Sequence, residues 1–247
     1  MAITEFDARA QTNLQLYARM LHAGYDVRAL RGVHDAYALA ALLFAGQLRP
    51  EGRPFLCHAV GVAGILVMIG APVPIVLGGL LHSAYTHGDF GLGRGEVNRA
   101  ARSRFRAAVG AEIEGLVAAY SDLPWRAASV AQYAADIEAL SADVRRIVLV
   151  RLANELEDAL DEGLRLSRKT QNPHRAIALE SLVGLAAGVG QPRLASALGR
   201  ALDPDRVTTD LEALRGSALG SYYVCPSSWR ERLLPRIVRL ARRLRAH

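Results

Sequence analysis

From Pro54 to Gly88 the chain carries no Lys, Arg, Asp or Glu, and Leu56 to Leu81 is a run of 26 mostly apolar residues. A run of that length has two destinations, a bilayer or the middle of a protein core. Gly61, Gly64, Gly70, Pro72, Pro74, Gly78 and Gly79 interrupt it, and His58 and His82 stand at its ends. Glycine and proline at this density cut it into pieces of about ten residues, the size of buried core helices and too short to span. The expectation is therefore a pair of core helices and no transmembrane segment.

Outside this run, apolar residues recur with helical spacing and strand-like alternation is almost absent, so the expected fold class is all-α. The periodicity predicts helices over Glu5 to His22, Val27 to Leu48, Cys57 to Ile69, Pro74 to Thr86, Glu96 to Val109 and Glu112 to Tyr120. It predicts further helices over Val130 to Leu140, Ala142 to Glu162, Pro173 to Gly188, Pro192 to Ala201, Asp205 to Leu214 and Trp229 to Arg245. Breaks fall where Gly70-Ala71-Pro72, Asp122-Leu123-Pro124, Asn172-Pro173, Gln191-Pro192 and Asp203-Pro204 oppose helix continuation. The 247 residues suit a single domain. Within it we expect a core over about residues 27–170 and a helical extension over 171–247.

The net charge of +6 is unevenly placed. Residues 230–247 hold seven arginines and one acid, Glu231, and the rest of the chain holds 23 basic and 23 acidic side chains. A neutral body argues against DNA binding, since a nucleic-acid surface needs its charge spread over the face that docks. The basic end segment, with Ile237, Leu240, Ala241 and Leu244 at helical spacing, could lie on an anionic membrane or RNA, but reads rather as a docking helix that packs on the body or joins two subunits into a homo-oligomer. Only Cys57 and Cys225 are present, which makes no disulfide framework and no all-cysteine zinc site. The opening residues MAITEFDARAQTN lack the basic and apolar regions of a signal peptide, so the expected location is cytoplasmic.

The most specific pattern begins at Gly46 and reads GQLRPEGRPFLCHAVGVAGIL, followed by GGLLHSAYTHGDFG and by LVRLANELEDAL at Leu149 to Leu160. Gly46, Gln47, Arg49, Gly52, Pro54, Phe55, His58, Val62, Ala63, Ile65 and Leu66 resemble the opening motif of the HD-domain hydrolases of the stringent response, which cleave guanosine alarmones. The resemblance covers roughly residues 40–162. It implies an HD-type helical bundle, a nucleotide-like substrate, and a divalent metal held by residues at the positions of His58, His82, Ser83 and Asn154. It also implies that Arg49 helps to hold the nucleotide.

The departures are chemical. The two carboxylates of the family's metal set are replaced by Ser83 and Asn154, and its water-orienting acidic pair falls at Thr86 and His87. Hard divalent ions depend on anionic oxygen, so a hydroxyl and an amide leave a weak, uncharged site. The expectation is no cofactor. The way back to a metal is a rearranged set of His58, His82 and His87, with Asp89 as an alternative, suited to zinc or iron.

Two readings of the pocket follow, with a third behind them. In the first, His58, His82 and Tyr85 are catalytic, because imidazole titrates near neutrality and Tyr85, three residues after His82, shares its helical face. Arg49, Ser83 and Asn154 then bind a small anionic or nucleotide-like substrate. In the second, the pocket survives as a non-catalytic ligand-binding or regulatory relic. The third is a metal-dependent phosphohydrolase on the rearranged site. Asn154, Glu157 and Asp158 share one helical face, whereas Glu155 and Asp161 are expected on a solvated face, paired with Arg151 and Arg165.

Overall fold

The computed structural model describes residues 5–91, 93–161, 177–203 and 222–223. The fold is all-α. Among the described residues its helices are α1 (Asn13–His22), α2 (Val27–Leu43), α3 (Phe55–Met68), α4 (Val73–Leu81), α5 (Ala84–His87), α6 (Arg99–Val109), α7 (Ala111–Asp122), α8 (Ala127–Ala135), α9 (Ala142–Leu160), α10 (Leu179–Gly188) and α11 (Pro192–Ala201). Short 3-10 turns cover Glu5–Ala8 and Ile137–Ala139. The strands β1 (Gln47–Leu48) and β2 (Tyr222–Tyr223) form one antiparallel pair.

Helix starts follow side-chain capping chemistry. Thr12, Asp26, Asn98 and Ser141 each accept a hydrogen bond from the backbone N–H three residues on, satisfying a donor that the first turn leaves open. Thr12 also explains why the helix expected from Glu5 divides into a 3-10 turn and α1: a cap needs extended backbone, which Thr12 adopts. The helix expected to reach Leu48 stops at Leu43, and the chain turns through Gly46 at φ +70° into β1. The helix expected over Pro74 to Thr86 is interrupted at His82 and Ser83. The expected helices over Asp205 to Leu214 and Trp229 to Arg245 lie outside the described residues.

The uncharged run becomes α3 and α4, packed on each other at the centre. From His58 to Val67 every residue of α3 is buried, because α1, α4 and α9 enclose it. No helix among the described residues is long and apolar enough to cross a membrane. Helix α4 also meets α2 and α7, while α10 and α11 pair with each other and rest on α8 and α9. This arrangement lays α9 along α3 and sets the N-terminal turns of α3, the end of α4 and the C-terminal half of α9 together.

Close approach of α9 to α3 depends on Gly61. A Cβ there would lie 2.6 Å from Oε1 of Glu157, well inside contact distance. Glycine at this position, one turn beyond His58, makes room for a carboxylate inside the helix pair.

Candidate functional site

His58 is in the first turns of α3, and His82 immediately follows α4; both are buried. Nδ1 of His82 lies 2.6 Å from the Gly79 carbonyl and donates to it. Nδ1 of His58 lies 2.5 Å from Oε2 of Glu157 and donates to it in the same way. Both rings therefore turn their Nε2 atoms towards each other, at 3.3 Å. Burial pushes both imidazoles well below the usual histidine range; Arg49 adds to the effect at His58, and His58 adds to it at His82.

Two carboxylates reach His58 from α9, one turn beyond Asn154. Glu157 is fully buried, and its Oε1 accepts from Nε of Arg9 at 3.0 Å and from Nη2 of Arg53. Asp158 accepts from Nη2 of Arg49 at 2.7 Å and from the Asn154 amide at 3.3 Å. Arg49 also donates to Glu51 at 2.6 Å, and Arg53 to Asp161 at 2.6 Å. Burial works against the Arg49 charge, but Asp158, Glu51 and Glu157 outweigh it and hold the guanidinium firmly protonated.

Arg49 and Arg53 sit at the two ends of a tight turn. The Arg49 N–H donates to the Arg53 carbonyl and the Gly52 N–H to the Arg49 carbonyl, with Gly52 at φ +84°. That left-handed conformation suits glycine. The turn thus delivers two guanidinium groups to one face of α9.

Several expected site residues take other places. Tyr85 does not share a pocket with His82: the break at His82 and Ser83 cancels the helical register, and the Tyr85 hydroxyl donates to Glu114 at 2.8 Å. The ring that meets His82 is Tyr120, with centroids 5.0 Å apart. His87 stacks on Phe55 at 4.8 Å, and burial, then Arg94 and Arg49, lower its pKa to about 4. Ser83 is buried beside His82, and its carbonyl accepts from the N–H groups of Thr86 and His87, closing α5. Asp89 caps its own glycine loop by accepting from the N–H groups of Gly91 and Gly93.

Helix α9 is more enclosed than its charge spacing predicts. Glu155 is buried, accepts from the Trp125 indole at 2.9 Å, and is raised by burial and by Asp158 to a pKa of about 8. Arg151 stacks over Tyr120, 3.8 Å from the ring centroid, and donates to the Tyr120 carbonyl. Asp161 pairs with Arg53. These side chains are enclosed because α9 is covered by α3, α4, α7, α10 and α11, which local charge spacing does not encode. Sequence reasoning missed Arg9 and Tyr120 altogether, and neither belongs to a motif.

Nδ1 of His58 and the carboxylates of Glu157 and Asp158 offer donor atoms within 4.8 Å of one another. Donors of this type suit a divalent cation. The surrounding charge does not. Three guanidinium groups already pair with Oε1 of Glu157 and Oδ1 of Asp158, so an added ion would compete with fixed positive charge for these oxygens. His82 lies on the opposite edge of the His58 ring from the carboxylates, and the group that converges excludes His87. As arranged, with these carboxylates paired to arginines, His58, Glu157 and Asp158 do not fit a divalent cation.

Residues 39–124, about a third of the chain, match the profile of a domain of unknown function, DUF6817. The chain is 38% identical over 85 residues to the "Probable GTP diphosphokinase RSH2, chloroplastic" of Oryza sativa subsp. japonica, covering 32% of this chain and 12% of that protein. It is 26% identical over 165 residues to a "GTP pyrophosphokinase" of Streptomyces antibioticus, covering 67% of this chain and 19% of that one. The similarity to this class of protein is weak. It spans less than a fifth of either relative.

Proposed function

We propose that this chain is an HD-derived module that binds a small anionic, nucleotide-like ligand and has given up metal-dependent hydrolysis. The observation that carries this reading is the pairing of Arg49 and Arg53, on one turn, with Asp158, Glu157 and Asp161 on α9. Guanidinium groups recognise phosphate and carboxylate by the same forked geometry. The α9 carboxylates therefore act as an internal stand-in for the anionic groups of a ligand. Weak similarity to GTP pyrophosphokinases supports guanine nucleotides as the first class to test.

A second reading, a metal-independent enzyme, has one observation in its favour. Glu157 orients His58 through Nδ1, as a positioning carboxylate orients a general base, and turns its Nε2 towards Nε2 of His82 at 3.3 Å. Calorimetric titration with GDP and with guanosine 5′-diphosphate 3′-diphosphate separates the readings. Under the binding reading at least one of them binds, Arg49→Ala weakens it by tenfold or more, and neither is consumed with or without Mn²⁺. Turnover that disappears in His58→Ala establishes the enzyme reading instead. Absence of binding for both nucleotides removes the guanine-nucleotide assignment.

A further inference from the structure

Besides the ion pairs of its arginines with α9, the turn that carries Arg49 and Arg53 is gripped from two sides. On one, Leu48 bridges to Pro54 and the Arg49 N–H reaches the Arg53 carbonyl. On the other, β1 pairs with β2, Gln47 opposite Tyr223 and Leu48 opposite Tyr222. The second grip comes from a segment more than 170 residues later in the chain. It runs beside the last two residues before Arg49.

This turn is also short of hydrogen bonds. Gln47 Oε1, Glu51 Oε2 and Arg53 Nε are buried and take no partner among the described residues. Buried polar atoms of this kind favour an opened state in which water or a ligand reaches them. A two-residue strand pair is marginal by itself, so the grip is one that can be released. The turn meets His58 through Glu157, which accepts from both Arg53 and His58, and His82 lies beyond His58; both histidines are closed to solvent.

We propose that Tyr222–Tyr223 is a strap that holds the Arg49–Arg53 turn shut over the histidine site, and that its release opens the site. Opening frees the two arginines from α9 and exposes the histidines to a ligand. The identity of that ligand, an anionic nucleotide-like molecule, rests on the function proposed above; the strap itself does not.

The test uses the full chain carrying Tyr222→Pro or Tyr223→Pro, since proline removes the N–H that a strand pair requires. Tyr222→Thr, which keeps strand propensity, is the control. Two readouts need no nucleotide: hydrogen exchange of the 44–54 segment, and carbethoxylation of His58 and His82 by diethyl pyrocarbonate, located by mass spectrometry. In at least one proline variant exchange is expected to quicken tenfold or more, with a comparable rise in histidine modification, while exchange of α11 stays unchanged and Tyr222→Thr behaves as wild type. Unchanged exchange and unchanged modification in both proline variants overturn the strap. A uniform rise that includes α11 also overturns it, because the contact is then general stabilisation. A third readout is guanine-nucleotide affinity, expected to tighten severalfold in the same variant. Faster exchange and modification with no nucleotide bound by any form supports the strap and counts against the ligand assignment alone.

Discussion

Glu157 on α9 and Glu114 on α7 are both buried acids, and each is held by two arginines. Around Glu157 the arginines are themselves enclosed, Arg9 at 11% exposure and Arg53 at 15%, and His58 completes the ring. Around Glu114, Arg102 and Arg106 stand 55% and 61% exposed, and the Tyr85 hydroxyl completes the set. Water can replace a lost partner at the second site but not at the first. The same residue types therefore make an interlocked polar core in one place and an adaptable surface anchor in the other.

The sharpest way to break this comparison is to remove one partner from each site. Arg53→Ala leaves Glu157 and Asp161 short of a buried counter-charge and is expected to cost about 3–5 kcal/mol, the range for breaking an enclosed pair. Glu114→Ala is expected to cost about 1–2 kcal/mol, because its exposed arginines rehydrate. Equal losses in urea denaturation would show that the enclosure of the first site does not matter energetically.

Gly61→Ala probes the space that Glu157 occupies. The added methyl would press on Oε1, and overpacking of this kind costs about 1–3 kcal/mol. In a Glu157→Ala background the penalty should largely vanish, a coupling that a double-mutant cycle measures. If the penalty persists, the crowding lies elsewhere.

The enclosed site should also show itself in pH dependence, with opposite slopes from two neighbours. Glu155 has its pKa raised from 4.5 to about 8, so the native state holds its proton longer than the unfolded chain and stability falls as pH rises across that window. His87 is lowered from 6.5 to about 4, so the unfolded chain takes up its proton first and stability falls as pH drops from about 6.5 to about 4. Glu155→Gln, which keeps an oxygen for the Trp125 indole, should gain stability relative to wild type steadily from pH 4.5 to 8. A constant difference across that range would mean that Glu155 ionises normally.

The smallest effect belongs to the exposed anchor. Arg102→Ala should change the midpoint of denaturation only slightly, and the change should shrink further at 1 M salt, where exposed charges are screened. A large, salt-independent loss would place Arg102 with the enclosed residues and erase the distinction.

Much of the framework was legible in the chain. The uncharged run, cut short by its glycines and prolines, reads as core and divides near Gly70 to Pro72, and α11 runs over the ten residues, Pro192–Ala201, that its proline start and apolar spacing mark out. His58, His82 and Arg49 could be selected because they lie in a dense local motif. The i, i+3 spacing of His82 and Tyr85 implies a shared face only in a continuous helix, and the helix is interrupted at His82 and Ser83. Glu155 and Asp161 misled because a charged residue on a helix is solvated by default, and only the packing of other helices over α9 removes the water.

Local chemistry by itself determined where helices start, where they stop and which of them are too apolar to meet solvent, since caps, breakers and periodicity act within a few residues. Tertiary structure decided which charges meet. The pairs of Arg49 with Asp158, Arg53 with Glu157 and Arg9 with Glu157 join residues 109, 104 and 148 positions apart. A helix carries no local mark of the arginine that will reach it, because an ion pair depends on distance and enclosure, and both exist only once α3, α9 and the turn before α3 have packed.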